Sequence, residues 1–246
     1  MLTDFTKIPF DIIIQAGQSN SEGCGMGPLR KPFAVSHLNL NNDFTICPAA
    51  ERVWGNEIVN DFSLSFGHMY TAMKNLTESR KLLIVRAAVG GTGFGDKRWI
   101  PEGDLYLRMM DMVKTALSLN PSNRLAGMLW HQGETDAILN TPGAAYYDYL
   151  GFLVRSVRDT FGAPELPFIC GDFVQHWKND NAAVCEPIIA AQRRLCDDLV
   201  SARFVETVGL ESNDQRTYNG DTIHFCREAL FRLGLMYYEA WAEITE

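Results

Sequence analysis

Apolar runs of strand length alternate with longer segments of helical periodicity along most of this chain. The strand-like runs are 10–16, 81–89, 124–132, 166–173 and 202–210, and the helix-like segments are 61–79, 103–120, 143–162, 182–200 (despite Pro187) and 224–244. Nearly continuous apolar strands are buried on both faces, so helices must cover the sheet above and below. Right-handed crossovers then predict an α/β fold, a three-layer α/β/α sandwich whose central parallel sheet has about five strands.

The chain shows no internal division. Its 246 residues, 46% of them hydrophobic, are enough for one large core. No repeat, low-complexity tract or linker interrupts the alternation. We therefore predict a single domain over residues 1–246.

Charge and cysteine content exclude several classes of function. A net charge of −8 argues against binding to nucleic acid or to an anionic membrane, which need a basic surface. The six cysteines form no C-x-x-C pair, and no apolar run approaches the length of a membrane span. The start of the chain lacks a basic segment followed by a long apolar stretch, so we expect a cytoplasmic protein with reduced thiols.

Polar motifs follow three of the predicted strands and precede the last predicted helix. They are "GQSN" at 17–20, "GGTG" at 90–93, "HQGETD" at 131–136 and "DTIH" at 221–224. In a parallel sheet, ligands bind beyond the carboxyl ends of the strands. The four motifs are therefore expected at one rim of the sheet.

Two nucleotide-binding interpretations of the glycines fail. A phosphate loop needs Lys and Ser or Thr after its last glycine, but Gly27 is followed by Pro28 and Leu29. In the run 91–95 the third glycine comes one position too early for a dinucleotide site, and no helix follows. Ser19 could still be a helix cap or a nucleophile, and the double glycine could be a plain turn or a loop whose N–H groups approach an anionic oxygen.

Asp221 and His224 are three residues apart, so the carboxylate can accept a hydrogen bond from the imidazole Nδ1–H. The other ring nitrogen would then be free to accept a serine proton. Taken alone, the pair is better explained as an Asp cap on the last helix beside an incidental histidine. Together with Ser19 on the same rim, the pair predicts a Ser-His-Asp triad. The spacing of the five histidines suggests no metal site, and H-E-x-x-H is absent.

The segments "GQSN" at 17–20, "VGGT" at 89–92, "WHQGETD" at 130–136 and "DTIHF" at 221–225 resemble the SGNH hydrolase superfamily, within its sialate O-acetylesterase-like and acetylxylan esterase branch. This resemblance implies a flavodoxin-like SGNH hydrolase fold with no metal or cofactor. It implies Ser19 as nucleophile and His224 as base, with an oxyanion hole from the N–H groups of Ser19 and Gly91 and the side chain of Gln132.

The resemblance leaves the triad acid open between Asp221 and Glu134. Roles for Asp136, His131 and His176 are also open. Asn20 and Glu22 are expected to fix the turn after the first strand. Candidate substrate contacts are Gln18, Asn20, Trp54 and Trp99, the tryptophans as platforms that stack on a sugar ring.

The resulting hypothesis is a serine esterase that removes O-acetyl groups from a carbohydrate, such as an acetylated sialic acid or a xylan-type sugar. Trp130 and His131 are expected to limit the depth of the acyl pocket, and the sugar is expected against 23–33, 48–56 and 94–103. The alternatives are a general short-chain carboxylesterase or thioesterase, and a noncatalytic carbohydrate-binding protein. The oligomeric state is not indicated.

Overall fold

The computed structural model describes residues 4–29, 35–73, 75–77 and 79–245. Strands in this part of the chain are β1 (Phe10–Gly17), β2 (Leu38–Leu40), β3 (Ile46–Pro48), β4 (Arg52–Trp54), β5 (Glu57–Val59), β6 (Lys81–Arg86), β7 (Arg124–His131), β8 (Phe168–Gly171) and β9 (Ala202–Val205). Seven form one sheet in the order β3-β2-β6-β1-β7-β8-β9, and β4 pairs with β5 in a separate antiparallel hairpin. Within the seven-stranded sheet, only β2 and β3 pair antiparallel.

Helices lie on both faces of this sheet. They are α1 (Ser19–Glu22), α2 (Ser63–Ala72), α3 (Asp104–Ser118), α4 (Glu134–Ile138), α5 (Gly143–Thr160), α6 (Gln175–Asp180), α7 (Ala182–Asp198), α8 (Asn213–Thr217) and α9 (Arg227–Glu243). Ile12 and Ile14 of β1 pack in the core with α3, α5 and α7, whereas Ile13 packs in the core with α2 and α9. Successive side chains of β1 thus point to helices on opposite faces of the sheet, which confirms the predicted three-layer sandwich.

The five predicted strands are β6, β1, β7, β8 and β9, which are neighbours in the sheet and all run parallel. The expected number of about five strands is too low, because β2 and β3 extend one edge. Strands β2, β3, β4 and β5 are each three residues long, which is too short to show the two-residue alternation of a strand. The predicted helix 61–79 is shorter in the structure, where α2 ends at Ala72, and its positions 74 and 78 lie outside the described residues. The helix containing Pro187 is confirmed as α7.

The centre of the sheet places the polar motifs together. Strands β6 and β7 flank β1, and Gly17 at the end of β1 lies beside His131 at the end of β7. An isolated bridge between Ser212 and Phe225 holds the last motif against the turn before α8. Among the described residues, no helix combines the length and the apolar character needed to cross a membrane.

Candidate active site

Ser19 lies at a tight turn between β1 and α1. Gly17 has a φ of +124°, and a Cβ on it would lie 2.1 Å from the carbonyl oxygen of His131. This position therefore needs glycine, both for its backbone conformation and for the close approach of β7. The Gln18 N–H donates to the same carbonyl oxygen at 3.0 Å, which fixes the turn and leaves Ser19 as the first residue of α1 at the rim.

Ser19, His224 and Asp221 form a continuous hydrogen-bonded line. The Ser19 Oγ is 2.9 Å from His224 Nε2, although the two residues are 205 positions apart. His224 Nδ1 is 2.9 Å from each carboxylate oxygen of Asp221. Asn213 Nδ2 also donates to Asp221 at 2.9 Å, which orients the carboxylate. This arrangement suits removal of a proton from the serine hydroxyl.

The pair of His224 and Asp221 favours a charged imidazole. Burial by itself lowers the pKa of His224, but hydrogen bonds with Asp221 and Cys24 outweigh burial and raise it to about 10. Burial would raise the pKa of Asp221, whereas its hydrogen bonds with His224 and Asn213 lower it overall. Asp221 is therefore ionised, and it stabilises the imidazolium that forms when His224 takes up a proton.

Two backbone N–H groups beside Ser19 are free to bind an anion. In the described chain, neither Ser19 nor Gly91 donates a backbone hydrogen bond to the protein. The Gly90 N–H donates to Glu22 Oε2 at 2.7 Å, so α1 holds the glycine loop next to Ser19. Gly91 is exposed and has a φ of +68°, a conformation that favours glycine.

Gln132, the third predicted donor, is fully buried. Its Nε2 lies 2.6 Å from Asp136 Oδ2, 3.1 Å from the Thr92 carbonyl oxygen and 3.3 Å from Gln18 Oε1. An amide nitrogen carries two hydrogens, so the short bond to Asp136 uses one, and the other is shared between two longer contacts. The structure thus orients the Gln132 amide firmly from within the protein, and its action on a reacting oxygen stays a prediction.

Among the described residues, Glu134 forms no hydrogen bond or ion pair with His224. It is fully buried, and its Oε1 accepts a hydrogen bond from Asn20 Nδ2 at 2.7 Å. Its Oε2 has no partner among the described residues, and burial raises its pKa despite its hydrogen bonds. Of the two candidate acids, Asp221 is the one that contacts His224.

Asn20 joins the turn at Ser19 to the loop that carries His224. Its Nδ2 donates to the Ile223 carbonyl oxygen at 3.1 Å as well as to Glu134, and its Oδ1 accepts from the Phe225 N–H at 3.0 Å. These two backbone contacts lie on either side of His224. The expectation that Asn20 settles the local structure therefore agrees with its contacts.

Three of the predicted substrate contacts are wrong. Gln18 is 3% exposed, and Asn20 and Trp99 are fully buried. Each of the three side chains forms a hydrogen bond with another part of the protein. The Trp99 Nε1 donates to Thr92 Oγ1 at 2.9 Å, and the ring packs edge-on against Trp130 in the core. Only Trp54 is exposed, at 59%, and it lies in the pocket wall.

The three residues whose roles were open have structural contacts. Asp136 is fully buried and accepts hydrogen bonds from Phe94 N, Gly95 N and Thr141 Oγ1. His131 Nδ1 is 2.9 Å from the Tyr237 hydroxyl oxygen, and burial lowers the pKa of His131 to about 3. His176 Nδ1 is 3.1 Å from Ser212 Oγ.

A pocket of about 340 Å³ opens beside Ser19 and His224. Trp130 and His131, predicted to limit its depth, are enclosed in the core instead. Segment 48–56 lines the pocket through Arg52, Val53 and Trp54, and segment 23–33 lines it through Gly23 and Cys24, whereas 94–103 does not. Residues 30–33 lie outside the described residues. Val59 of β5 also lines the pocket and lies outside the predicted segments. A three-residue strand gives no local signal that could have identified it.

The described residues include no group of three or more His, Cys, Asp or Glu side chains that could hold a metal ion. All six cysteines are free thiols. Cys24, which lies against Ser19, is buried with its Sγ 3.4 Å from the Ser19 carbonyl oxygen. The functional groups available at the site are therefore the hydroxyl, imidazole and carboxylate of the hydrogen-bonded line and the free N–H groups.

The sequence of residues 9–243 matches the family described as carbohydrate esterase, sialic acid-specific acetylesterase. A probable 9-O-acetyl-N-acetylneuraminic acid deacetylase of Escherichia coli is 26% identical over 91 residues, which are 34% of this chain and 28% of that protein. A probable carbohydrate esterase of Arabidopsis thaliana is 27% identical over 172 residues, 69% of this chain and 60% of that protein. The alignments thus span less than two thirds of either relative.

Solved structures share the fold over nearly the whole chain. An Arabidopsis thaliana protein superposes with a TM-score of 0.75 at 22% identity, covering 96% of this chain and 98% of that chain. NanS gives a TM-score of 0.75 at 19% identity, covering 96% and 97%. A carbohydrate acetylesterase from Xanthomonas citri gives 0.60 at 14% identity, covering 95% of this chain and 56% of that one. The predicted α/β architecture is confirmed.

Proposed function

The chain belongs to the carbohydrate esterase family of sialic acid-specific acetylesterases, and we propose that it removes O-acetyl groups from a carbohydrate through an acetyl-serine intermediate. The resemblance inferred from the sequence motifs is thereby confirmed at the level of the family. The observation that carries the proposal is the hydrogen-bonded line Ser19–His224–Asp221 at the mouth of a pocket.

In the first half of the reaction, the Ser19 Oγ attacks the acetyl carbonyl carbon while His224 Nε2 accepts the hydroxyl proton. The resulting oxyanion is held by the N–H groups of Ser19 and Gly91. The tetrahedral intermediate then collapses, the sugar oxygen leaves with the proton from His224, and the acetyl group remains on Ser19. In the second half, water repeats the attack with His224 as base, and acetate is released.

Asp221 acts through His224. Its carboxylate accepts the Nδ1 hydrogen bond, which leaves Nε2 unprotonated and directed at Ser19, and it stabilises the charged imidazole after proton transfer. Glu134 and Asn20 act further out. Asn20 holds the segment around His224 through its bonds with Ile223 and Phe225, and Glu134 accepts from the Asn20 amide and so orients it. Both are positioning residues in this scheme.

Glu22 and Gln132 fix the donors around the oxyanion. Glu22 engages the N–H of Gly90, and this leaves the next N–H, that of Gly91, for the reacting oxygen. The Gln132 amide is anchored by Asp136, and its second hydrogen leaves the longer contacts with Thr92 and Gln18 to reach the oxyanion. Donors that are held before the reaction begins cost no reorganisation when negative charge develops.

The test compares Ser19→Ala with Ser118→Ala, an exposed serine at the end of α3. We expect Ser19→Ala to stay folded and to lose about 10³-fold or more of kcat/KM on p-nitrophenyl acetate. Ser118→Ala should keep the wild-type value. Substantial turnover by folded Ser19→Ala would contradict the serine mechanism.

Product analysis on acetylated xylan fragments and O-acetyl sialic acids then identifies the substrate class. Release of acetate from such sugars at a higher kcat/KM than from p-nitrophenyl acetate supports a carbohydrate deacetylase. Hydrolysis of simple esters without any sugar deacetylation would instead indicate a general short-chain esterase. Sugar binding without ester hydrolysis would indicate a noncatalytic protein.

A further inference from the structure

A second pocket, of about 510 Å³, adjoins the one at Ser19 and shares Glu22 and Arg52 with it. Its floor comes from the ends of three neighbouring strands. Gln15 of β1 lies beside Arg86 of β6, and Asn39 of β2 lies beside Ile84, two residues before Arg86 on the same face of β6. Polar side chains thus replace the apolar core at this corner of the sheet. We call this space the amide pocket, after its lining residues Gln15, Asn39, Asn41 and Asn42.

Three carbonyl oxygens of the amide pocket lack a hydrogen-bond partner. Within the described chain, Gln15 Oε1, Asn39 Oδ1 and Asn42 Oδ1 accept no hydrogen bond. Gln15 is fully buried and Asn39 is 2% exposed, so bulk water does not compensate them freely. Buried polar atoms are normally paired, and unpaired ones in a pocket indicate a missing donor. The amide nitrogens of Gln15 and Asn42 already donate to the carbonyl oxygens of Ser21 and Ala88, so the amide oxygens are the groups that still need a donor.

The charged side chains of the amide pocket already have partners. Arg86 forms a 2.9 Å ion pair with Asp61, and Arg52 lies 3.8 Å from Glu22. Glu51 is paired with Arg227 at 2.6 Å, outside the pocket. Asp43 also lines the space, and its hydrogen bonds go to Thr45 rather than to a cation. An anionic ligand would therefore meet paired cations, a carboxylate and amide oxygens.

We propose that the amide pocket binds a neutral, hydroxyl-rich sugar unit adjacent to the acetylated unit at Ser19. Hydroxyl groups can donate to the unpaired carbonyl oxygens and accept from the Nε of Arg86, which also lacks a partner among the described residues. A carboxylate-bearing sugar offers acceptors where the amide pocket also offers acceptors, so it fits less well. This inference rests on the proposed esterase function and extends it to the part of the substrate that does not react.

The test uses Asn39→Leu, which keeps the size of the side chain and removes its polar atoms. The readout is the ratio of kcat/KM on mono-acetylated xylobiose to kcat/KM on p-nitrophenyl acetate, which has no sugar to fill the amide pocket. We expect this ratio to fall about tenfold, the equivalent of one or two net hydrogen bonds. Asn42→Leu is the second variant, in case the first fails to fold. The matched control is Asn120→Leu, whose side chain bonds the Thr6 carbonyl oxygen far from the site and whose ratio should not change.

A loss that is equal on both substrates, or no loss on either, would overturn the proposal. Binding is measured independently by titrating Ser19→Ala with xylobiose and with N-acetylneuraminic acid. Weaker xylobiose binding after the added Asn39→Leu change supports the proposal, whereas preferential binding of N-acetylneuraminic acid contradicts it and leaves the esterase function intact. If the wild-type protein hydrolyses no ester, the proposed function fails, and the xylobiose titration still decides whether the amide pocket takes a neutral sugar.

Discussion

Asp221→Asn tests the triad acid most sharply, because it preserves the shape of the side chain and removes its charge. Both carboxylate oxygens lie 2.9 Å from His224 Nδ1, so the imidazole keeps its Nδ1 proton and presents an unprotonated Nε2 to Ser19. An asparagine can place its NH₂ group at the same distance, which favours the opposite tautomer, and Nε2–H can no longer act as base. We expect kcat/KM to fall by about 10³–10⁴, or about 4–5.5 kcal/mol of transition-state stabilisation.

Glu134→Gln is the matched comparison. Its Oε1 accepts from Asn20, and a glutamine oxygen can accept the same bond. The substitution replaces an unpaired oxygen by an amide NH₂ and does not touch His224. The expected loss of kcat/KM is therefore less than about tenfold, the size of one weakened hydrogen bond.

Both variants are assayed with p-nitrophenyl acetate from pH 5 to 10, after near-ultraviolet circular dichroism and thermal unfolding have shown that they are folded. Because the base must be neutral, wild-type kcat/KM should rise with pH through the raised pKa of His224, above its ordinary value of 6.5. Loss of the Asp221 charge lowers that pKa and moves the rising limb to lower pH. A larger loss in Glu134→Gln than in Asp221→Asn, with both proteins folded, would refute the assignment.

Three further predictions concern the oxyanion hole, the acyl pocket and acid stability. Gln132→Ala should lower kcat by about 10²–10³ and change KM less, measured by steady-state kinetics, and a change confined to KM would make Gln132 a ground-state contact instead. Across p-nitrophenyl esters from acetate to octanoate, kcat/KM should decline, at up to about 1–3 kcal/mol for each added methylene, and rates that rise with chain length would contradict a deacetylase. Burial lowers the pKa of His37 to about 4 in the folded protein. As pH drops from 6.5 to 4, the unfolded chain takes up this proton first, so His37 should contribute a fall of about 1.4 kcal/mol per pH unit to the free energy of unfolding. Urea denaturation of His37→Asn should show a shallower dependence over that range, and an unchanged slope would exclude this histidine as the cause.

The sequence alone determined the framework of the protein. Its apolar runs identified five adjacent parallel strands of the sheet, because burial on both faces leaves a local pattern that needs no tertiary information. The ends of parallel strands meet at one edge, so the positions of Ser19, Gly91 and Gln132 after their strands were enough to predict a shared rim. The offset of three residues between Asp221 and His224 likewise predicted that the two side chains pair within one turn of the chain.

Only the tertiary structure decided which side chains reach the pocket and which are enclosed. Trp99, in the segment between β6 and α3, is fully buried, whereas Trp54, the same residue type at the end of β4, is 59% exposed. Asn20 and Glu134 meet across 114 positions, and the amide pocket forms where β1, β2 and β6 lie side by side. Local periodicity cannot encode contacts between residues so far apart, because these contacts depend on how the complete sheet and its short strands pack. Three-residue strands such as β2 and β4 are stabilised by the strands they pair with rather than by their own sequence.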